Sequence, residues 1–236
     1  MSGTLYLLPI PISRGSLSAV LPPTVVALAH RIEHFLVEDA KTARAFLKQL
    51  DHPKPLRELS IVEIGHAPPA GAIAAWLAPL RDGTDIALVS EAGCPAIADP
   101  GATLVAAAHL HGWKVQPLVG PSSIILALMA SGLDGQHFRF VGYLPRAAEE
   151  RAAAIRALES KSQYETQIFI ETPYRNVALF DALLQHCRPT TRLAVAIDLT
   201  GKAEFVRQYT VEEWRTHTSA AQAALAKQPA VFCLLA

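Results

Sequence analysis

At 236 residues, half of them apolar and fewer than a fifth charged, the chain can fill one large or two small domains with a substantial core. Its 21 Lys and Arg balance 21 Asp and Glu, which argues against a broad non-specific nucleic-acid footprint and leaves room for a local basic patch. Three scattered cysteines without CxxC or Cys/His spacing, and no run of about 18 uncharged apolar residues, point to free thiols in a cytoplasmic protein with no metal and no membrane span.

Residues 5–8 form a short apolar strand that runs into Pro9-Ile10-Pro11-Ile12, a tip that turns sharply at the carboxyl edge of a sheet. A helix follows over 21–32, with Pro23 near its start. Residues 35–37 read as a strand and the residues from about Ala40 as a helix, with Glu38 and Asp39 at the junction. That acid pair reads either as anions placed at a helix N-terminus or as carboxylates facing a cationic cofactor or acceptor. A third strand over 59–65 and a helix over 69–83, ended by Gly83, lead to the apolar run at 86–89.

That run delivers its carboxyl end into "SEAGCPAIADPG", residues 90–101, before a helix closed by Gly112. The small residues serve a tight turn in one reading. In the other they let a ligand approach backbone N–H and C=O groups closely, at the strand ends where open α/β sheets bind ligands. Residues 113–119 give a fifth strand, placed at an edge or a bend by Pro117. Strand and helix alternate throughout, so the first domain is a mostly parallel α/β layer.

"GPSSIILALMASGL" opens a second unit at residue 120, with Ser122 or Ser123 capping a helix that Gly132 ends. Ile124 stands where a nucleophile elbow needs its second Gly. A strand over 137–145 precedes a helix over 146–160 whose Arg146, Arg151 and Arg156 form a solvated face or a phosphate-contacting rim. A strand over 166–172 ends at Pro173-Tyr174-Arg175, a helix spans 176–186, and strands at 192–200 and 229–236 complete a second, mixed sheet. The expected domains are 1–119 and 120–236. No G-x-G-x-x-G and no P-loop occurs.

The loop at 90–101 resembles the "S-D-A-G-T-P-x-I-S-D-P-G" loop of the small-subunit rRNA 2′-O-ribose methyltransferases, a branch of the tetrapyrrole (corrin/porphyrin) methylase superfamily. The likeness continues in order through "LYLLPIPI", "VEDAKTA", "PLVGPSSIILALMASGL", "FRFVGYLPR", "IFIETPYR" and "AIDLTGKAEFV". It implies two α/β domains, S-adenosylmethionine in a cleft between them, a homodimer, and rRNA of the small ribosomal subunit as acceptor. The cofactor residues it implies are Pro9, Ile10, Ser90, Glu91, Ala92, Gly93, Cys94, Ile97, Ser122 and Ser123. Polar residues at the family's acceptor side, and so candidates for catalysis, are Glu38, Asp39, Lys41, Glu171, Arg175, Asp198 and Lys202.

Departures gather on that acceptor side. The family's "T-P-I-G-N" is Ile10-Pro11-Ile12-Ser13-Arg14 here, "E-D-T-R" is Glu38-Asp39-Ala40-Lys41, and "E-S-P-H-R" is Glu171-Thr172-Pro173-Tyr174-Arg175. "R-E-L-T-K" becomes Ile197-Asp198-Leu199-Thr200-Gly201-Lys202. Two other readings therefore stay open: methylation of a small molecule such as a tetrapyrrole, and a non-catalytic module that binds S-adenosylmethionine.

Overall fold

Strands that are apolar at every position must be covered on both faces. The computed structural model, which describes residues 2–15 and 17–236, meets that demand in two compact units that divide after Ser122. The first contains β1 (Thr4–Leu7), α1 (Leu17–Val20), α2 (Pro23–Ala29), β2 (His34–Val37), α3 (Ala40–Gln49), β3 (Ser60–Glu63), α4 (Ala70–Leu77), β4 (Ile86–Val89), α5 (Gly101–Leu110) and β5 (Lys114–Pro117). The sheet order is β3-β2-β4-β1-β5, and every pairing is parallel.

Side chains alternate between the two faces of β4, which is buried throughout. Ala87 and Val89 pack with Val25 of α2 and Phe46 of α3; Ile86 and Leu88 pack with Leu77 of α4 and Leu104 of α5. β5 lies at the edge, where Pro117 can lack its N–H. All the carboxyl ends of a parallel sheet open on one edge. The loops after β1, β2, β3 and β4 therefore meet there.

The second unit contains α6 (Ser123–Ser131), β6 (Phe138–Tyr143), α7 (Ala148–Lys161), β7 (Thr166–Glu171), α8 (Asn176–His186), β8 (Arg192–Ile197), β9 (Phe205–Thr210), α9 (Val211–Thr216), α10 (Thr218–Leu225) and β10 (Ala230–Leu235). Its sheet runs β6-β7-β10-β8-β9; β6 and β7 are parallel and the other pairs antiparallel. β10 sits at the centre, buried along its whole length. Trp214 of α9 anchors one face, stacked edge-on against Phe180 and Tyr209, while its indole N–H donates to Leu193 O at 2.8 Å.

Three expectations need correction. β9 was not foreseen, because an edge strand with one neighbour tolerates the polar Arg207 and Gln208. Nor were α9 and α10 after it. Arg146 lies before α7 rather than on it, and its carbonyl accepts a hydrogen bond from Arg151 Nη1 at 3.0 Å.

Candidate functional site

The tip of β1 is shaped by what two prolines cannot donate. Of Pro9, Ile10 and Pro11, only Ile10 carries an N–H. It exchanges both backbone bonds with Gly93, at 3.0 and 3.1 Å, and so locks the β1 tip to the loop after β4. Gly93 adopts φ +73°, and a Cβ there would lie 3.2 Å from Ile12 Cγ2 and 3.3 Å from Pro121 O. Glycine is favoured on both counts, since any L side chain there would be strained and would crowd its neighbours by a few tenths of an ångström.

The rest of the loop is held from within. Ser90 Oγ donates to Ala92 O at 3.1 Å, and Cys94 Sγ donates to Pro121 O at 3.3 Å. Burial pushes the Cys94 thiol up, so it serves as a tether and not as a thiolate nucleophile. Asp99 accepts from the amides of Ala96 and Gly101. Burial raises its carboxyl above the usual range despite those amides. Ala96 and Ala98 are both left-handed, at φ +67° and +63°, a conformation that costs a non-glycine residue about 1–2 kcal/mol. Backbone strain of this kind gathers where a loop is held in a set shape for a ligand. Among the described residues, the N–H groups of Ala92 and Ile97 donate to no protein acceptor, and Ile97 is half exposed.

Glu38, at the end of β2, joins three loops. Its Oε2 accepts from Glu91 N at 3.0 Å and its Oε1 lies 2.9 Å from His66 Nδ1, just past β3. His66 escaped the sequence reading, although its place directly after the third strand put it at this same edge. The hydrogen bond to Glu38, then the charges of Glu38 and Glu91, raise the imidazole above its ordinary 6.5. What this ion pair contributes to stability is therefore fully present below pH 6.5 and is lost as pH climbs through the raised value. An NMR titration should find His66 above 6.5 in the native chain and returned toward it in Glu38→Gln; an unmoved imidazole would dissolve the pairing.

Asp39 caps α3 through Thr42 N at 2.6 Å, and the amide bond holds its carboxyl below the usual range. Glu63 Oε2 takes Ala40 N at 3.0 Å. The helix-anchoring reading of Asp39 thus describes what it does. Lys41 projects from the first turn of α3 and is exposed.

In the second unit, Glu171 and Ile197 both pair with Ala230, so the loops after β7 and β8 leave the same sheet edge. Glu171 is buried and accepts from Thr172 N and Arg175 Nη2, each at 2.6 Å. Burial pushes the Glu171 carboxyl up, but Arg175 and the Thr172 amide outweigh it and hold it below its ordinary value. Asp198 (φ +46°) and Thr200 (φ +65°) shape the β8–β9 turn, where Asp198 Oδ2 accepts from Ala203 N at 2.9 Å. Lys202 is exposed on that turn, and Ser123 begins α6 directly after Ser122. The first unit thus gathers Pro9, Ile10, Ser90 to Cys94 and Glu38 at one edge, while Glu171 with Arg175 and Asp198 with Lys202 share an edge of the second.

A family model described as Tetrapyrrole (Corrin/Porphyrin) Methylases matches residues 21–214. The chain belongs to that family. Proteins named ribosomal RNA small subunit methyltransferase I resemble it at 32% identity in Mesorhizobium japonicum (92% of this chain, 70% of the relative) and 34% in Bacillus subtilis (87% and 67%). In Micromonospora olivasterospora the identity is 36%, over 75% of this chain and 54% of the relative. The chain thus spans between about half and 70% of the length of these relatives. Among solved structures, the methyltransferase CobJ superposes with a TM-score of 0.63 over 98% of this chain and 94% of that one, at 16% identity. The cobalt precorrin-4 methyltransferase CbiF gives 0.61 over 98% and 94%, at 14% identity. Both share the fold of two α/β units. Among the described residues of this tetrapyrrole methylase, no helix is long and apolar enough to cross a membrane.

Proposed function

We propose that this tetrapyrrole methylase is a cytoplasmic, homodimeric S-adenosylmethionine-dependent methyltransferase whose acceptor is a ribose 2′-hydroxyl of small-subunit rRNA. The observation that carries the acceptor is the likeness to relatives bearing that name, at 32–36% identity over most of this chain. The cofactor assignment is supported by the loop after β4. Ala92 and Ile97 offer unpaired amides there, Gly93 adds no bulk, and half-exposed Ile97 gives apolar surface for an adenosyl group. Bound there, S-adenosylmethionine would supply a methyl group on a sulfonium, open to in-line displacement.

The chain's own residues then supply position rather than a base. Glu38, Asp39, Glu171 and Asp198 each already accept from a backbone amide. For Asp39 and Glu171 those bonds, with Arg175 beside Glu171, hold the carboxyl below its ordinary range, which makes each a weak base. Orientation of the hydroxyl against the methyl carbon is the larger contribution, and a preorganised loop provides it. Lys41 in the first unit, and Arg175 and Lys202 in the second, are cations able to hold RNA phosphates.

Mass-spectrometric nucleoside analysis of rRNA from a strain lacking the gene should show the loss of one 2′-O-methylnucleoside, restored by complementation. An unchanged rRNA profile beside a newly unmethylated small molecule would remove the rRNA acceptor and leave the methyltransferase. Light scattering at micromolar concentration should give twice the chain mass, and monomer alone would refute the dimer.

A further inference from the structure

A groove of about 580 Å³ runs along the first unit between the β1 tip and α3 and ends against Glu91 and Ala92. Resting on the rRNA reading above, we propose that it binds one unpaired nucleotide of the acceptor RNA, with the base on its apolar floor and the phosphate between Arg14 and Lys41.

The floor is made by buried Ile10 and Phe46 with half-buried Ile12. One wall is the outward stripe of α3, where Lys41, Ala45 and Gln49 recur every fourth residue. Gln49 Nε2 donates to Gly15 O at 2.8 Å and ties the segment just past Arg14 to that helix. The size suits a nucleotide, since pockets for small ligands run to several hundred Å³.

Charge selects the ligand. Arg14 and Lys41 are both exposed, and among the described residues neither forms an ion pair. They stand at two places where the sequence departs from the rRNA enzymes' pattern: Arg14 replaces the Asn of "T-P-I-G-N" and Lys41 the Arg of "E-D-T-R". The first departure adds a cation and the second keeps one, and both line one groove. In a chain of zero formal net charge, two unpaired cations beside an apolar floor match a phosphate next to a base. The groove reaches the loop proposed for the cofactor at Glu91, so a nucleotide seated here would set the register of its neighbour at the methyl donor.

The test uses the full chain with a fluorescently labelled single-stranded ribo-oligonucleotide and, in parallel, small ribosomal subunits as methyl acceptor. Arg14→Ala with Lys41→Ala should lower the slope of log affinity against log salt by about 1.4, two single-strand phosphate contacts at about 0.7 each. Arg14→Lys with Lys41→Arg should restore it. Ala45→Trp, which fills the groove without touching a charge, should weaken oligonucleotide binding at least tenfold with the slope unchanged. S-adenosylmethionine affinity should stay within twofold in every variant, which also reports that each has folded. If the native chain methylates subunits while the double alanine variant keeps its salt slope and Ala45→Trp keeps its affinity, the groove is not the nucleotide site and the rRNA reading stands. If the native chain neither binds the oligonucleotide nor methylates subunits, the rRNA reading itself has failed and this inference with it.

Discussion

Replacing Gly93 by valine should abolish S-adenosylmethionine binding, an affinity loss of at least 100-fold or about 2.7 kcal/mol. At φ +73° a β-branched residue meets its own backbone, and the added Cβ already lies within 3.3 Å of Ile12 and Pro121 before its two methyl groups are counted. The chain would relieve that crowding by breaking the paired Ile10–Gly93 bonds, which carries the Ala92 amide away from the ligand. Because the damage is confined to a sheet-edge loop, circular dichroism should be unchanged. Calorimetry that finds native affinity in Gly93→Val would move the cofactor site elsewhere.

Trp214→Ala should be the most destabilising single truncation in the second unit, by about 3–5 kcal/mol. The side chain is 1% exposed, sits between Phe180 and Tyr209, and holds Leu193 O through its indole N–H. Removal opens a large cavity and also takes away the indole N–H that donates to Leu193 O. A fall in melting temperature of roughly 10 °C or more is expected at this size. Trp214→Phe should recover the packing but not the hydrogen bond, and so fall between the two. A melting curve within 2 or 3 °C of the native one would show that the core closes over the gap.

The architecture was legible because its signals are local. Four apolar residues at Ile86–Val89 announce a buried strand, Pro117 announces an edge, and Gly83 and Gly112 announce helix ends. The turn chemistry at residues 90–101 was equally plain, down to the need for glycine at 93. What escaped depends on tertiary partners. β9 has only β8 beside it, and Arg207 and Gln208 in its middle interrupt the strand-favouring Phe205, Val206, Tyr209 and Thr210, so its signal is weak. His66 carries no motif, and its place beside Glu38 exists only because β2 and β3 are neighbours. Asp39 and Glu38 looked like a matched pair in sequence, yet one caps a helix and the other braces a loop. Adjacent acids at a strand end point in different directions, and only the fold tells them apart.

The placement of β10 between β7 and β8 carries a consequence for biosynthesis. Both neighbours leave the ribosome before it, and neither pairs with the other. As the nascent chain emerges, β6 and β7 can pair, and so can β8 and β9, but the two halves stay apart until residues 230–235 clear the exit tunnel. Until then, β7 and β8 each lack the partner that covers one edge in the native sheet, and an uncovered apolar strand edge is the kind that associates with other chains. The sheet of the second unit is therefore complete only when residues 230–235 are in place between β7 and β8. A stalled or truncated product that ends before residue 230 should accumulate as aggregate while its first unit is already native.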